Sequence, residues 1–181
     1  MSKMTKTIRI AGFGGQGVML MGQLLAATAS NENLNSIWVP SYGPETRGGT
    51  ANCLVTISDQ AIYSPVFAKA DHCIVLNEPS YIKYGAMIKD GGLLLYNASL
   101  IKEVKTLNGV KAVGVNANEI AADLDEPKVM NMAILGAYLE ATKLFSDASI
   151  MKTLAQFFGE KKEHLLAINE KALTLGHQNA K

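Results

Sequence analysis

Thr7-Ile-Arg-Ile-Ala-Gly-Phe-Gly-Gly-Gln-Gly-Val18 is the stretch from which the fold is read. Thr7 to Ala11 is a short apolar strand. Gly12-Phe-Gly14-Gly15-Gln16-Gly17 then satisfies G-x-G-x-x-G, and a helical run from about Val18 to Ser30 follows. In that run Val18, Met21, Leu25 and Ala29 recur at three- or four-residue steps and make a core-facing stripe. Strand, glycine turn and helix in this order open an α/β unit. The glycines let the backbone turn tightly and present N–H groups, and a helix N-terminus adds partial positive charge, so an anion is welcome there. The same glycines equally serve close packing of the strand against the helix.

Outward from this unit, strands and helices alternate. Ser36 to Pro40 reads as a second strand. From 51 to 57, Ala51, Cys53, Val55 and Ile57 alternate with Asn52, Leu54 and Thr56, a pattern that predicts a half-buried, antiparallel-type strand. Ser58-Asp59-Gln60 predicts a hairpin turn into Ala61 and Ile62. Cys73 to Leu76 reads as a buried central strand. A helix around Tyr81 to Ile88 is expected to end at Gly91-Gly92, with strands at Leu93 to Tyr96 and Lys111 to Val115. Pro127 suits a first helical turn behind Asp125 and Glu126. Met130, Ile134, Ala137, Tyr138, Ala141 and Phe145 then follow at helical spacing. Ile150, Leu154 and Phe157 mark another helix, and Leu165, Ile168, Ala172 and Leu175 a last one stopping near Gly176. The expected fold is a three-layer α/β/α domain over 1–181, with a mixed, mostly parallel sheet and a helical C-terminal third.

Composition narrows the function. The 181 residues suit one domain, and 48% apolar against 18% charged residues allows a sizeable core. Seventeen basic and sixteen acidic residues leave a net charge of +1, which argues against a nucleic-acid binder held by phosphate contacts. Cys53 and Cys73 are the only cysteines. Two thiols are too few for an iron–sulfur cluster or a four-thiolate zinc site, and with no disulfide framework the expected compartment is the cytoplasm. No run approaches the roughly 20 apolar residues of a membrane span, and no signal core precedes Ile8.

A dinucleotide site would place Asp or Glu at the end of the second strand to hold a ribose hydroxyl. That strand ends Val39-Pro40-Ser41-Tyr42, and Glu32 lies before it. A free-standing NAD(P)-dependent dehydrogenase, the competing reading, therefore lacks its second element. Ser41-Tyr-Gly-Pro-Glu-Thr-Arg-Gly-Gly-Thr50 makes a shaped turn instead. Arg47 in it can grip a carboxylate or phosphate bidentately, or pair with Glu45 to hold the loop. If the strands before the two loops are parallel neighbours, the loops meet at one sheet edge.

Together these segments resemble the gamma subunit of 2-oxoacid:ferredoxin (acceptor) oxidoreductases. The resemblance rests on Gly12-Phe-Gly-Gly-Gln-Gly17, Tyr42-Gly-Pro-Glu-Thr-Arg-Gly-Gly-Thr-Ala-Asn52, Ser64-Pro65 and Asn131-Met-Ala-Ile-Leu-Gly-Ala137, in the right order along nearly the whole chain. The second segment looks closest to members acting on 2-oxoglutarate, with branched-chain 2-oxoacids next. The resemblance implies a multi-subunit enzyme that decarboxylates a 2-oxoacid oxidatively to acyl-coenzyme A and CO2, passing electrons to ferredoxin or a similar acceptor. It also implies alpha and beta subunits, with a ferredoxin-like delta subunit in some assemblies. Thiamine diphosphate, Mg and iron–sulfur clusters would sit on those other subunits, and no cofactor on this chain alone. No catalytic or metal-binding residue is expected here. Ligand-side residues carried over are Gly12, Gly14, Gly15, Gln16 and Gly17 in the first loop. Tyr42, Glu45, Arg47, Gly48 and Gly49 belong to the second loop, and Asn131 to its helical neighbour.

Cys53 and Cys73 read as core side chains rather than nucleophiles. His72, His164 and His177 show no triad spacing, and the methionines suit a core or a subunit interface. Exposed apolar surface is expected on a chain that belongs to an assembly.

Overall fold

A computed structural model describes residues 4–42, 50–105 and 107–180. Six strands form one sheet in the order β2-β3-β1-β4-β5-β6: β1 (Thr5–Phe13), β2 (Asn35–Tyr42), β3 (Thr50–Ser58), β4 (Ala70–Val75), β5 (Ile88–Asn97) and β6 (Lys111–Val115). The β1–β4, β4–β5 and β5–β6 pairs are parallel, whereas β3 runs antiparallel to both β1 and β2. The mixed, mostly parallel sheet expected from the sequence is therefore present.

The period-two pleat divides β1, β4 and β5 between two cores. Ile8, Ile10, Ile74, Leu76, Leu93 and Leu95 face α1 (Val18–Asn31) and α4 (Met130–Thr142), with α5 (Asp147–Phe158) and α6 (Leu166–Gln178) packed outside them. Ala11, Cys73, Val75 and Leu94 face the opposite way, under α2 (Glu78–Tyr84) and the chain around Ile101. Arg9 shares that side at 8% exposure. Its guanidinium donates to the carbonyls of Phe67 (3.2 Å) and Ala68 (3.4 Å) and sits 5.0 Å from the Tyr84 ring centroid.

Several expectations change in the structure. No hairpin follows Ser58, because β3 already has a neighbour on each edge: its partner through the 43–49 connection is β2, and β1 takes the other edge. Strand β3 is also buried on both faces rather than half-buried, Leu54 at 8% and Thr56 at 3% exposure being enclosed along with Cys53 and Val55. Gly91 and Gly92 stop no helix. They lie inside β5, where the register against β4 shifts between Ala70 and His72, and Gly91 takes φ +74°. The helix before them is α2, begun by Asn77, whose side chain accepts from the Ser80 N–H at 2.9 Å, and ended at Gly85. A short helix, α3 (Ala117–Asp123), went unseen in the sequence. Pro127 opens a 3-10 turn, Pro127–Val129, ahead of α4 rather than an α-helical turn.

Helix α4 is buried around its whole circumference from Met130 to Leu139, because it lies between the sheet and α6. The two helices touch backbone to backbone. A Cβ on Gly136 would land on the Leu173 carbonyl oxygen, and one on Gly176 on the Ala133 carbonyl oxygen. Gly176 thus sits inside α6 as a packing residue and not at its end.

At the base of α4, His72 Nδ1 and the Tyr138 hydroxyl are 2.8 Å apart. Burial pushes the His72 imidazole down to about 4, helped by repulsion from Lys6 and opposed by Asp71. The imidazole is neutral in the folded chain, while an unfolded histidine takes a proton near pH 6.5. The unfolded state therefore binds more protons between these values, so stability is full above pH 6.5 and falls as pH drops toward 4. Urea midpoints measured from pH 4 to 7 should rise across this window, and His72→Gln should flatten the rise. Separately, Gly176→Ala should lower the chain's stability by about 2 kcal/mol or more, read as a reduced midpoint, because the α4–α6 pair must open to admit the methyl.

Candidate functional site

The carboxyl ends of β1, β2 and β4 share one edge of the sheet, and the glycine loop stands there. Strands β1 and β2 point the same way without being neighbours, since β3 lies between them. Ala51, near the start of β3, pairs with Tyr42 on one side and with Gly12 on the other. The two loops therefore leave the sheet at the same edge, as the sequence suggested, but across an intervening strand. Tyr42 is exposed at the end of β2. Glu45, Arg47, Gly48 and Gly49 lie outside the described residues.

The glycines of the first loop divide into two kinds. Gly12 and Gly17 are packed. A Cβ at Gly12 would meet Gln16 Oε1 at 2.8 Å, Val18 Cγ2 at 2.9 Å and Leu76 Cβ at 3.1 Å. At Gly17, which has φ +82°, it would meet Asn131 Nδ2 at 2.5 Å. Gly14 and Gly15 are the opposite case: both are exposed, and none of the described residues lies within 4 Å of an added Cβ. Packing accounts for Gly12 and Gly17 but not for Gly14 and Gly15. Behind the loop α1 begins without a side-chain cap and without an acid in its first turn, so its first N–H groups keep their positive character.

Asn131, on the first turn of α4, covers the Gly17 end of the loop at 4% exposure, and its Oδ1 has no hydrogen-bond partner among the described residues. Among the described residues it is the first loop that Asn131 touches. Gln16 folds back over Gly12, and its Oε1 accepts from Phe13 N–H (2.7 Å) and Asn77 Nδ2 (2.8 Å). Asn77 was not singled out in the sequence. The signal was present in Asn77-Glu-Pro79-Ser80, an N-cap residue followed by proline in the first helical turn.

Cys53 and Cys73 sit in different cores, and burial pushes both thiols up to about 12. Both are protonated packing side chains. Among the described residues no three His, Cys, Asp or Glu side chains gather in a way that could hold a metal ion. His177 of α6 pairs with Glu140 near the end of α4, away from the loop. No helix among the described residues is long and apolar enough to cross a membrane.

The topology also bears on the dinucleotide reading. A dinucleotide-binding half places its first two strands side by side and parallel. Here antiparallel β3 separates β1 from β2, and β2 carries no acid up to Tyr42.

Fold and loop together define a three-layer α/β domain with an open glycine turn at the carboxyl edge. Residues 7–179 match the family model described as pyruvate ferredoxin/flavodoxin oxidoreductase, and the chain belongs to this family. It is 36% identical over 169 residues to ketoisovalerate oxidoreductase subunit VorA of Methanothermobacter marburgensis, covering 93% of this chain and 35% of that protein. It is 34% identical over 177 residues to 2-oxoglutarate synthase subunit KorC of Methanocaldococcus jannaschii, covering 93% of this chain and 92% of KorC. Among solved structures it is similar to the 2-oxoglutarate:ferredoxin oxidoreductase of Magnetococcus marinus, described with 2-oxoglutarate, coenzyme A and succinyl-CoA bound. That match has a TM-score of 0.89 and 26% identity, and covers 98% of this chain and 31% of the other. The chain spans about a third of the length of the first two curated relatives it matches.

Gly17→Ala should cost about 2 kcal/mol or more, since it combines a clash with Asn131 and a left-handed backbone. Gly14→Ala should leave stability within about 0.5 kcal/mol. Urea titration of the two variants checks the contrast.

Proposed function

We propose that this chain, as one domain over 1–181, is the gamma subunit of a multi-subunit 2-oxoacid oxidoreductase, with 2-oxoglutarate as the foremost substrate. The assembly oxidatively decarboxylates the 2-oxoacid to acyl-coenzyme A and CO2 and passes the electrons to ferredoxin or a similar acceptor. The observation that carries this reading is the match to KorC, which extends over nearly the full length of both chains. The Tyr42–Asn52 segment supports 2-oxoglutarate over branched-chain 2-oxoacids.

The described residues do not fit an iron–sulfur cluster, because the two thiols lie in cores on opposite faces of the sheet. Thiamine diphosphate, Mg and the clusters accordingly belong to partner alpha, beta and delta-type subunits in this reading. What this chain supplies is the loop pair. Gly14 and Gly15 offer an unobstructed backbone to an anionic group, and coenzyme A carries such groups. Arg47 in the second loop adds an always-charged guanidinium for a phosphate or carboxylate. Ile82 on α2 at 75% exposure, with Tyr63 at 95% and Val66 at 65% between β3 and β4, gives apolar surface for a partner subunit to cover. Two unpaired cysteines suit a cytoplasmic setting.

Affinity purification of the tagged chain from its native cell tests the assignment. A thiamine-diphosphate-bearing subunit should accompany it, and a chain that travels alone overturns the reading. In the purified assembly Arg47→Ala should raise KM for coenzyme A or the 2-oxoacid by about tenfold, the loss of one charge-assisted contact. Unchanged kinetics with intact assembly would remove Arg47 from the site.

A further inference from the structure

We infer that the surface around Tyr84 receives an acidic side chain of a partner subunit, drawn there by two cations, the buried Arg9 and the exposed Lys83. This rests on the subunit reading and deepens it by naming the chemistry of one contact.

Arg9 stands in the middle of β1 and is enclosed at 8% exposure. A guanidinium is always charged, and a charge so deeply buried is ordinarily paired with a carboxylate. Arg9 makes no ion pair among the described residues. Its Nη2 donates to the carbonyls of Phe67 and Ala68 at 3.2 and 3.4 Å, and its buried Nε has no acceptor among the described residues. Two rings take up part of the charge, with Cζ 5.0 Å from the Tyr84 centroid and 5.9 Å from that of Phe67. Carbonyls and rings spread a positive charge without neutralising it. Lys83 adds a second cation to the same place. Its Nζ lies 5.2 Å from the Tyr84 centroid, and it is exposed in the last turn of α2. It too forms no ion pair among the described residues, whereas Lys89 is paired with Asp71 and Lys143 with Glu140.

Two cations thus share one ring and lack a counter-charge. Lys83, at the surface, makes the direct contact with an arriving carboxylate. Arg9 acts from within, where water is scarce and its field is weakened little by solvent or salt. The surroundings choose a protein carboxylate over a free anion. The two segments that supply the rings also carry exposed apolar side chains, Val66 next to Phe67 at 65% exposure and Ile82 two residues before Tyr84 at 75%. A small anion would leave both in water. An Asp or Glu flanked by apolar residues on a partner's surface would cover them and answer the charge together.

The assembly purified through the tagged chain provides the test. A carbodiimide joins an ammonium to a carboxylate only where the two touch, and peptide mass spectrometry locates the bond. Lys83 should be joined to an Asp or Glu of the copurifying thiamine-diphosphate-bearing subunit, and should resist acetylation in the assembly while reacting readily in the isolated chain. Lys83→Glu should lower the partner recovered per tagged chain by about tenfold, Lys83→Gln by less, and Lys83→Arg should restore it. All three should melt within about 2 °C of the wild-type chain, because an exposed lysine without an ion pair contributes little to stability. Arg9→Met, in a chain that still folds, should lower recovery as Lys83→Glu does; where it does not fold, the Lys83 series and the cross-link decide. Recovery at the wild-type level with Lys83→Glu overturns this inference and leaves the subunit assignment standing. So does a Lys83 cross-linked only within its own chain, or acetylated equally in both states. Protection of Lys83 in the isolated chain by inorganic phosphate overturns it in favour of a free anion. A wild-type chain that travels alone overturns the subunit assignment and this contact with it.

Discussion

The antiparallel insertion of β3 between β2 and β1 is the constraint on which the rest of this domain depends. Without it, β1, α1 and β2 would close as an ordinary crossover with adjacent parallel strands, and the crevice beside β1 would suit a dinucleotide. With it, one residue, Ala51, pairs with both Tyr42 and Gly12. The start of the connection after β2 is thereby tied to the glycine turn through two ladders of backbone hydrogen bonds. The pleat of β3 also aims Cys53, Val55 and Ile57 at α1, so a slip of one residue would misplace a core and a loop at once.

The glycines of this one motif stand in two different surroundings. At Gly12 and Gly17 the requirement is space for neighbouring side chains, and at Gly17 also a positive φ. At Gly14 and Gly15 no described residue fills the neighbouring space, and of the two only Gly15 has a positive φ, +91°. An unobstructed backbone with unspent N–H groups is what a bound anion requires. The motif therefore need not be divided between a packing protein and a binding protein.

Much of this was legible in residues 5–58 and 130–178, where periodicity is strong and the apolar stripe of α1 or the alternation of β3 has one reading. The antiparallel sense of β3 could be read from its alternation, but its place in the sheet could not. Pairing is decided by which edges remain free, and that is a property of the whole sheet. The Gly91-Gly92 pair misled because glycine after a helical pattern signals an end, whereas here it accommodates a shift of register within β5. Gly176 misled in the same way, its reason being the Ala133 backbone some forty residues earlier. Helix α3, Ala117–Asp123, is too short to display a period. For the site, Gly17 and Gln16 were visible in the motif. Asn77 was not, since its part is defined by Gln16, Phe13 and Ser80, which only the folded chain brings together.

The unequal cover on the two sides of the sheet carries a consequence for motion. One side is held by α1 and α4 with two further helices outside them, while the other has a seven-residue helix and irregular chain around a small core. Local opening takes place where the fewest apolar contacts must be broken. Backbone amides beneath α2 should therefore exchange with solvent well before those beneath α4. Asn77 begins that same helix, so the element that steadies the glycine turn is anchored on the side of the molecule that breathes first. Anything that covered the exposed Ile82 on α2 would quiet it and would reach the loop as order rather than as displacement.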